Sequence, residues 1–266
     1  MLNVSTSYVV ELNSLVRSLI PVNHICTLTK SSEGIYLVVA SKSQTLSANL
    51  LIKKNLFASY QVQGSLPIII SLQSLSRCLE MYAEWKENAL HTDALHHVVL
   101  YHEPGTPFMV KCNFETAKSV SQLMLYDLPS GAEFGPQLST AKVCRFSCEG
   151  LQWYEMLSIF DSLCSKKMLI SSDDPQLLSV AGTRRGLTTV FKLKSDNVRD
   201  FTIEPSFGFY YDFKTMWNLR RTLRGAQQMT MTIDLHGVMN LQISRVIDDT
   251  TYDLDYLFSP QSETDA

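Results

Sequence analysis

CEGLQWYEMLSIFDSLCSKKMLISSDDPQLLSVAGTRRGLTTVFKL, residues 148–193, reads as one helix followed by three short strands. Trp153, Met156, Leu157, Phe160 and Cys164 fall at i, i+3, i+4, i+7 and i+11, one apolar stripe of a helix. Asp173-Asp174-Pro175 and Gly182-Thr183-Arg184-Arg185-Gly186 then divide the remainder into strands joined by hairpin turns. A helix with one apolar face leading into consecutive strands is the plan of an α+β unit.

The same plan is legible on either side. Upstream, a strand is expected at residues 8–12, then a helix whose stripe is Leu12, Leu15, Val16 and Leu19 and which Pro21 ends. Strands follow at 24–30, 35–41, 45–52, 56–62 and 67–71. Ser71 caps a second helix with Leu72, Leu75, Cys78, Leu79 and Tyr82 inward. Residues 84–95 read as a polar loop, and strands at 96–102, 108–115 and 119–126 close the first half. Residues 127–140, with two prolines and two glycines and no period, read as a connector. The order then restarts. A strand at 142–148 precedes the quoted stretch, and strands at 201–204 and 207–212 follow it. A helix at 213–224 turns Phe213, Met216, Trp217 and Leu223 inward, and strands at 227–235, 238–247 and 251–259 finish the half. We therefore expect a duplicated α+β unit. Its parts would be residues 1–126, the connector 127–140, residues 141–260, and a disordered tail at 261–266.

Of the 266 residues, 45% are hydrophobic and 18% charged, which suits a globular protein with a substantial core. No apolar run reaches the roughly 18 residues of a membrane span, and residues 1–10 lack the basic flank and apolar block of a signal peptide. The six cysteines form no CxxC pair, so reduced thiols in an intracellular protein are expected. Cys144 and Cys148 have no further Cys or His beside them to complete a zinc site and read as strand-end residues. The formal charge of −3 requires that any contact with nucleic acid be confined to one face.

That face can be sought on the helices. At ~100° per residue, Arg17 lies roughly 140° from its helix's apolar centre and Arg77 roughly 160° from its own. In the fourth helix, Lys214 and Arg221 flank Asn218 on the outer side. Arg220 falls near the apolar centre. The helix of the quoted stretch turns Gln152, Glu155, Ser158 and Ser162 outward, with no base among them. Spaced cations of this kind suit a phosphate backbone gripped without base reading; they also suit an ordinary solvated face.

Five segments carry a resemblance to a known family: CEGL at 148–151, SSDDPQLLSVAG at 171–182, EGIYLVVASKSQTLSANLLI at 33–52, IIISLQSLSRCLEMY at 68–82 and LDYLFSP at 254–260. In order and spacing, the chain resembles sliding clamps of the proliferating-cell-nuclear-antigen type. It is most similar to the Rad-type subunit, the one numbered "one", of the heterotrimeric DNA-damage checkpoint clamp. The likeness spans nearly the whole chain. It implies two tandem clamp domains, with helices on the inner face of a ring and antiparallel sheets outside. It implies a non-catalytic nuclear subunit without cofactor, in a ring with two other clamp subunits. Double-stranded DNA would pass through the hole, and a clamp loader and repair or checkpoint proteins would meet the outer face. Arg17, Arg77, Lys214 and Arg221 would then face DNA. Strands at 119–126 and 186–194 would pair with neighbouring subunits. Leu128, Phe134, Leu257, Ser259 and Pro260 would form the surface for partner peptides. Glu80 and the base-free helix depart from the family's basic pattern.

Two other readings remain open at the level of residues. Asp253 and Asp255 share one face of a strand and could begin a metal-dependent exonuclease site, although Tyr252, Leu254 and Tyr256 alternate with them as in any half-exposed strand. His91, His96 and His97 cluster in or beside a polar loop, without a nearby third ligand. GxxxxGK[ST], HExxH and GxSxG are all absent. The third reading is a homotrimeric replication clamp.

Overall fold

A computed structural model describes residues 1–64, 66–88, 97–113, 118–126, 135–184, 187–247 and 249–262. It separates into two compact units, one of Met1–Val39 with Asn49–Glu133, the other of Ala40–Ala48 with Phe134–Ala266.

With β3 and β4 counted whole, although residues 40 and 46–48 belong to the second unit, the first unit runs β1 (Leu2–Thr6), α1 (Val9–Leu19), β2 (Ile25–Lys30), β3 (Gly34–Ala40), β4 (Leu46–Lys53), β5 (Ser59–Val62), β6 (Ile68–Ser71), α2 (Leu72–Asn88), β7 (Val98–His102), β8 (Phe108–Asn113) and β9 (Lys118–Leu123). Its strands hydrogen-bond in the orders β5-β1-β7-β8-β9 and β4-β3-β2-β6. The second unit runs β10 (Lys142–Cys148), α3 (Gly150–Ser162), β11 (Lys167–Asp174), β12 (Leu177–Arg184), β13 (Leu187–Lys194), β14 (Arg199–Ile203), β15 (Phe207–Asp212), α4 (Phe213–Asn218), α5 (Arg220–Arg224), β16 (Gln228–Asp234), β17 (Met239–Ile247) and β18 (Thr250–Phe258). Its orders are β14-β10-β16-β17-β18 and β13-β12-β11-β15. Strand for strand, these are the same two orders. The duplication expected from the sequence is thus present in the topology, and the class is α+β.

Alternation and helical stripes account for the cores. In β1, Leu2, Val4 and Thr6 are buried and the residues between them half-buried, the period of a strand with one face covered. In α1 the stripe Leu12, Leu15, Val16 and Leu19 is buried, and in α2 Leu72, Leu75, Leu79 and Tyr82 are buried. The Ser71 hydroxyl accepts from the Ser74 N–H at 3.1 Å and caps α2. In α3, Trp153, Met156, Leu157 and Phe160 are buried. Phe160 meets Phe191 and Phe213 edge-on, at ring distances of 5.4 and 6.3 Å. Gly182 of β12 lets α3 approach closely, since a Cβ there would lie 2.6 Å from Phe160 Cδ1.

Four local expectations are corrected. Residues 8–12 are not a strand: Tyr8 precedes α1, and the strand is Leu2–Thr6. Val9-Val10 is a β-branched pair that favours a strand, but the i, i+3, i+4 stripe prevails. Residues 84–88 continue α2 and are not loop, because Glu84, Lys86 and Glu87 are good helix formers; residues 89–96 lie outside the described residues. The helix at 213–224 is two helices, broken at Leu219 (φ −83°, ψ 0°). Cys164 does not prolong the α3 stripe. It is exposed, with φ +50°, past the helix end.

All six thiols are free. Burial pushes Cys26, Cys144 and Cys148 up to about 12. At the other end of the scale, Asp234 is fully buried. Burial would raise its pKa, but N–H donors from Ser139 (2.7 Å), His236 (2.9 Å) and Val238 (2.8 Å) hold it below the ordinary 3.8.

Leu79→Ala is expected to lower the unfolding free energy by about 2–5 kcal/mol, and Leu151→Ala, on an exposed side chain, by less than about 0.5 kcal/mol; urea denaturation of both checks this. Asp234→Asn is expected to cost about 1–3 kcal/mol at neutral pH. Because the folded-state value is depressed, the carboxylate's contribution is present above 3.8 and is lost as pH falls through the folded value. The stability difference between wild type and variant should therefore shrink in acid.

Candidate nucleic-acid interface

In the first unit, α1 and α2 pack side by side. Between them the Ser76 hydroxyl donates to Asn13 Oδ1 at 2.8 Å, a buried polar clasp among leucines. A polar pair satisfied only in one register fixes how the two helices face each other. With the stripes committed inward, Arg17 and Arg77 both emerge on exposed faces. Arg17 is paired with Glu80 across the two helices, both side chains about half exposed (51% and 41%). Arg77 has no ionic partner among the described residues. One arginine of this face is thus partly neutralised and the other is free.

In the second unit the cations sit elsewhere. The outer side of α3 carries Gln152, Glu155 and the exposed Ile159, with no base. Gly150 at the start of α3 lies against α5, where a Cβ would come within 2.5 Å of Leu223 O. That contact brings Tyr154 to Trp217, stacked at 6.0 Å. Lys214, Arg221 and Arg224 are exposed on α4 and α5. Arg220 is half-buried, with its guanidinium 5.3 Å from the Trp217 ring and donating to the Trp217 carbonyl. Arg224 lies 5.9 Å from the Tyr154 ring. Helical arithmetic placed Arg220 near the apolar centre. The break at Leu219 shifts the register, and the adjoining Trp217 was the signal for its aromatic seat.

The surface expected to take partner peptides is described only in part. Leu257, Ser259 and Pro260 are half-buried, and the Ser259 N–H donates to Thr45 O at 2.8 Å. Leu128 and Phe134 lie outside the described residues. Both strands expected at subunit joints are edges of their sheets. On β9 Val120 is exposed, and on β13 Leu187 and Val190 are.

The two aspartates of the exonuclease reading are engaged in strand contacts. Ser244 Oγ donates to Asp253 Oδ1 at 2.6 Å, and Asn240 Nδ2 to Asp255 Oδ1 at 3.2 Å. Burial raises the Asp255 pKa, against the hydrogen bond from Asn240. Among the described residues, no three His, Cys, Asp or Glu side chains gather to hold a metal, and His91 and His96 lie outside them. Among the described residues, no helix is long and apolar enough to cross a membrane.

Comparison with known proteins bears on the family and the fold. The family described as repair protein Rad1/Rec1/Rad17 matches residues 1–245. The DNA damage checkpoint control protein rad1 of Schizosaccharomyces pombe is 20% identical over 243 residues, 83% of this chain and 74% of that protein. Among solved structures, PCNA from Thermococcus kodakaraensis superposes with a TM-score of 0.76 at 14% identity, over 98% of this chain and all of that one. A. fulgidus PCNA, bound to the C-terminal region of FEN-1, gives 0.76 at 12% identity over the whole of both chains. PCNA from Entamoeba histolytica gives 0.74 at 14%, covering 98% and 99%. At these identities the structural likeness establishes the fold, a PCNA-like clamp.

Glu80→Gln, which removes a half-exposed ion pair, is expected to change the unfolding free energy by less than about 1 kcal/mol, as measured by urea denaturation. A larger loss would make the pair part of the α1–α2 packing.

Proposed function

The chain belongs to the Rad1/Rec1/Rad17 family of repair proteins, and on that footing we propose how it serves as a subunit of a DNA-damage checkpoint clamp. Clamp subunits form a ring that encircles DNA. In this reading the ring is heterotrimeric, with two other clamp subunits beside this one, and it works in the nucleus. β9 and β13 offer their free main-chain edges to the neighbouring subunits.

Retention on DNA then comes from topology together with diffuse charge. Arg77, Lys214 and Arg221 meet phosphates, and Arg17 does so to the extent that Glu80 releases it. None of them reads bases, so the ring can travel along the duplex. The subunit is a scaffold without a catalytic step, and the strand contacts of Asp253 and Asp255 support that. A clamp loader and repair or checkpoint proteins engage the outer face, the latter at Leu257, Ser259 and Pro260 with Leu128 and Phe134. The family match over residues 1–245 carries the reading. The exposed Arg77, without an ionic partner among the described residues, supports its DNA-facing part.

Binding of the assembled ring to duplex DNA across a salt series tests this. Removing the charges of Arg17, Arg77 and Lys214 together is expected to flatten the slope of log K against log salt by about 0.9 per lost phosphate contact. Glu80→Gln should steepen it. An unchanged slope in the triple variant would mean that these side chains do not meet phosphate.

A further inference from the structure

The second unit holds an open cavity of about 1370 Å³, of whose lining the proposed DNA contact uses Lys214 alone. Among the described residues, Lys166, Lys167, Arg184, Lys214 and Arg220 line it, against two carboxylates, Asp161 and Asp212. Asp212 is committed to capping α4, where it accepts from the Thr215 N–H at 2.8 Å and from the Thr215 hydroxyl. Lys166, Arg184 and Lys214 form no ion pair among the described residues. The wall also contains Ser165, 7% exposed, whose hydroxyl has no hydrogen-bond partner among the described residues.

We propose that this cavity docks an acidic peptide segment of a partner protein. The net positive lining calls for an anion, and the volume exceeds what a single phosphate would fill. The rim already holds an extended main chain. The Gln261 N–H donates to Tyr210 O at 2.7 Å, and Lys167 Nζ to Ser262 O at 3.1 Å. β15 is the last named strand of its sheet, and the antiparallel bridge from Gln261 to Tyr210 pairs there by the main-chain bonds that added strands use. Nucleic acid fits less well. The cavity's Trp217 ring is flanked by Tyr154, Phe213 and Arg220, so it offers no free face on which a base could stack. The acidic side chains of the peptide lie against Lys166 and Arg184, and its backbone follows the rim beyond the bridge between Tyr210 and Gln261.

The test uses the full chain alone in solution, so its failure and the failure of the ring reading are distinguishable. A fluorescein-labelled Ser-Glu repeat peptide and its phosphoserine form are titrated by anisotropy, with a Ser-Lys peptide as control and duplex DNA as competitor. Saturable binding of the acidic peptides is expected, with no binding of the Ser-Lys peptide. Lys166→Glu with Arg184→Glu should weaken binding at least about tenfold, while Lys54→Glu, an exposed lysine of the first unit, should leave it unchanged. Should the double charge reversal lower the melting temperature, Lys166→Gln with Arg184→Gln replaces it and must show the same direction of loss. Absence of saturable binding, or equal loss in Lys54→Glu, overturns the proposal. So does duplex DNA that displaces the peptide and is itself weakened by the same double variant. Binding that emerges only in Glu263→Gln with Asp265→Asn would make the chain's own C-terminal residues the occupant, and overturns it likewise.

Discussion

Burial of one stripe of each long helix against its sheet governs where the charge of this protein can go. In α1 and α2 the leucines take the inward positions, and the Ser76–Asn13 clasp admits one register between the helices. Once that register is set, an arginine five residues beyond each leading leucine must emerge on the far side. Arg17 and Arg77 are exposed as a consequence of the core. A chain of net charge −3 can thus hold local cationic faces without being basic as a whole.

The two units solve this differently on one topology. Their strand orders match position for position, yet α3 carries no outward base and α1 and α2 carry one arginine each. In the second unit the cations are shifted to α4 and α5. There the helix breaks at Leu219, and Trp217 and Tyr154 seat Arg220 and Arg224. An arginine held over a ring is positioned at lower entropic cost than one free in solvent. The pairing of Arg17 with Glu80 tempers the first unit's charge. A moderate hold suits a ring that keeps to DNA by encircling it, since strong phosphate contacts would oppose movement along the duplex.

Much of this was legible in the sequence because helical stripes and strand alternation are themselves records of burial. The α3 stripe from Trp153 to Phe160, the capping Ser71 and the restart of the order after residue 140 gave the duplicated α+β plan. What escaped were features decided by tertiary competition. Val9-Val10 carries strand propensity but lies on a helix. Residues 84–88 read as part of a polar loop yet continue α2, because Glu84, Lys86 and Glu87 are good helix formers. The break at Leu219 has no proline or glycine to announce it, so the seat of the half-buried Arg220 on Trp217 was not legible. The cavity beside Lys166 and Arg184 brings together α3, β11, β12, β15 and α4, and no local pattern could assemble it.

The claim on which the account rests is that the outward helix cations meet the duplex. A photoactivatable amino acid placed at position 77, and separately at 221, in the ring assembled with its partner subunits on closed circular DNA, measures this directly. Cross-links to DNA from both positions, and none from position 36 on the exposed face of β3, are the predicted result. Cross-links from position 36 with none from 77 or 221 would contradict it.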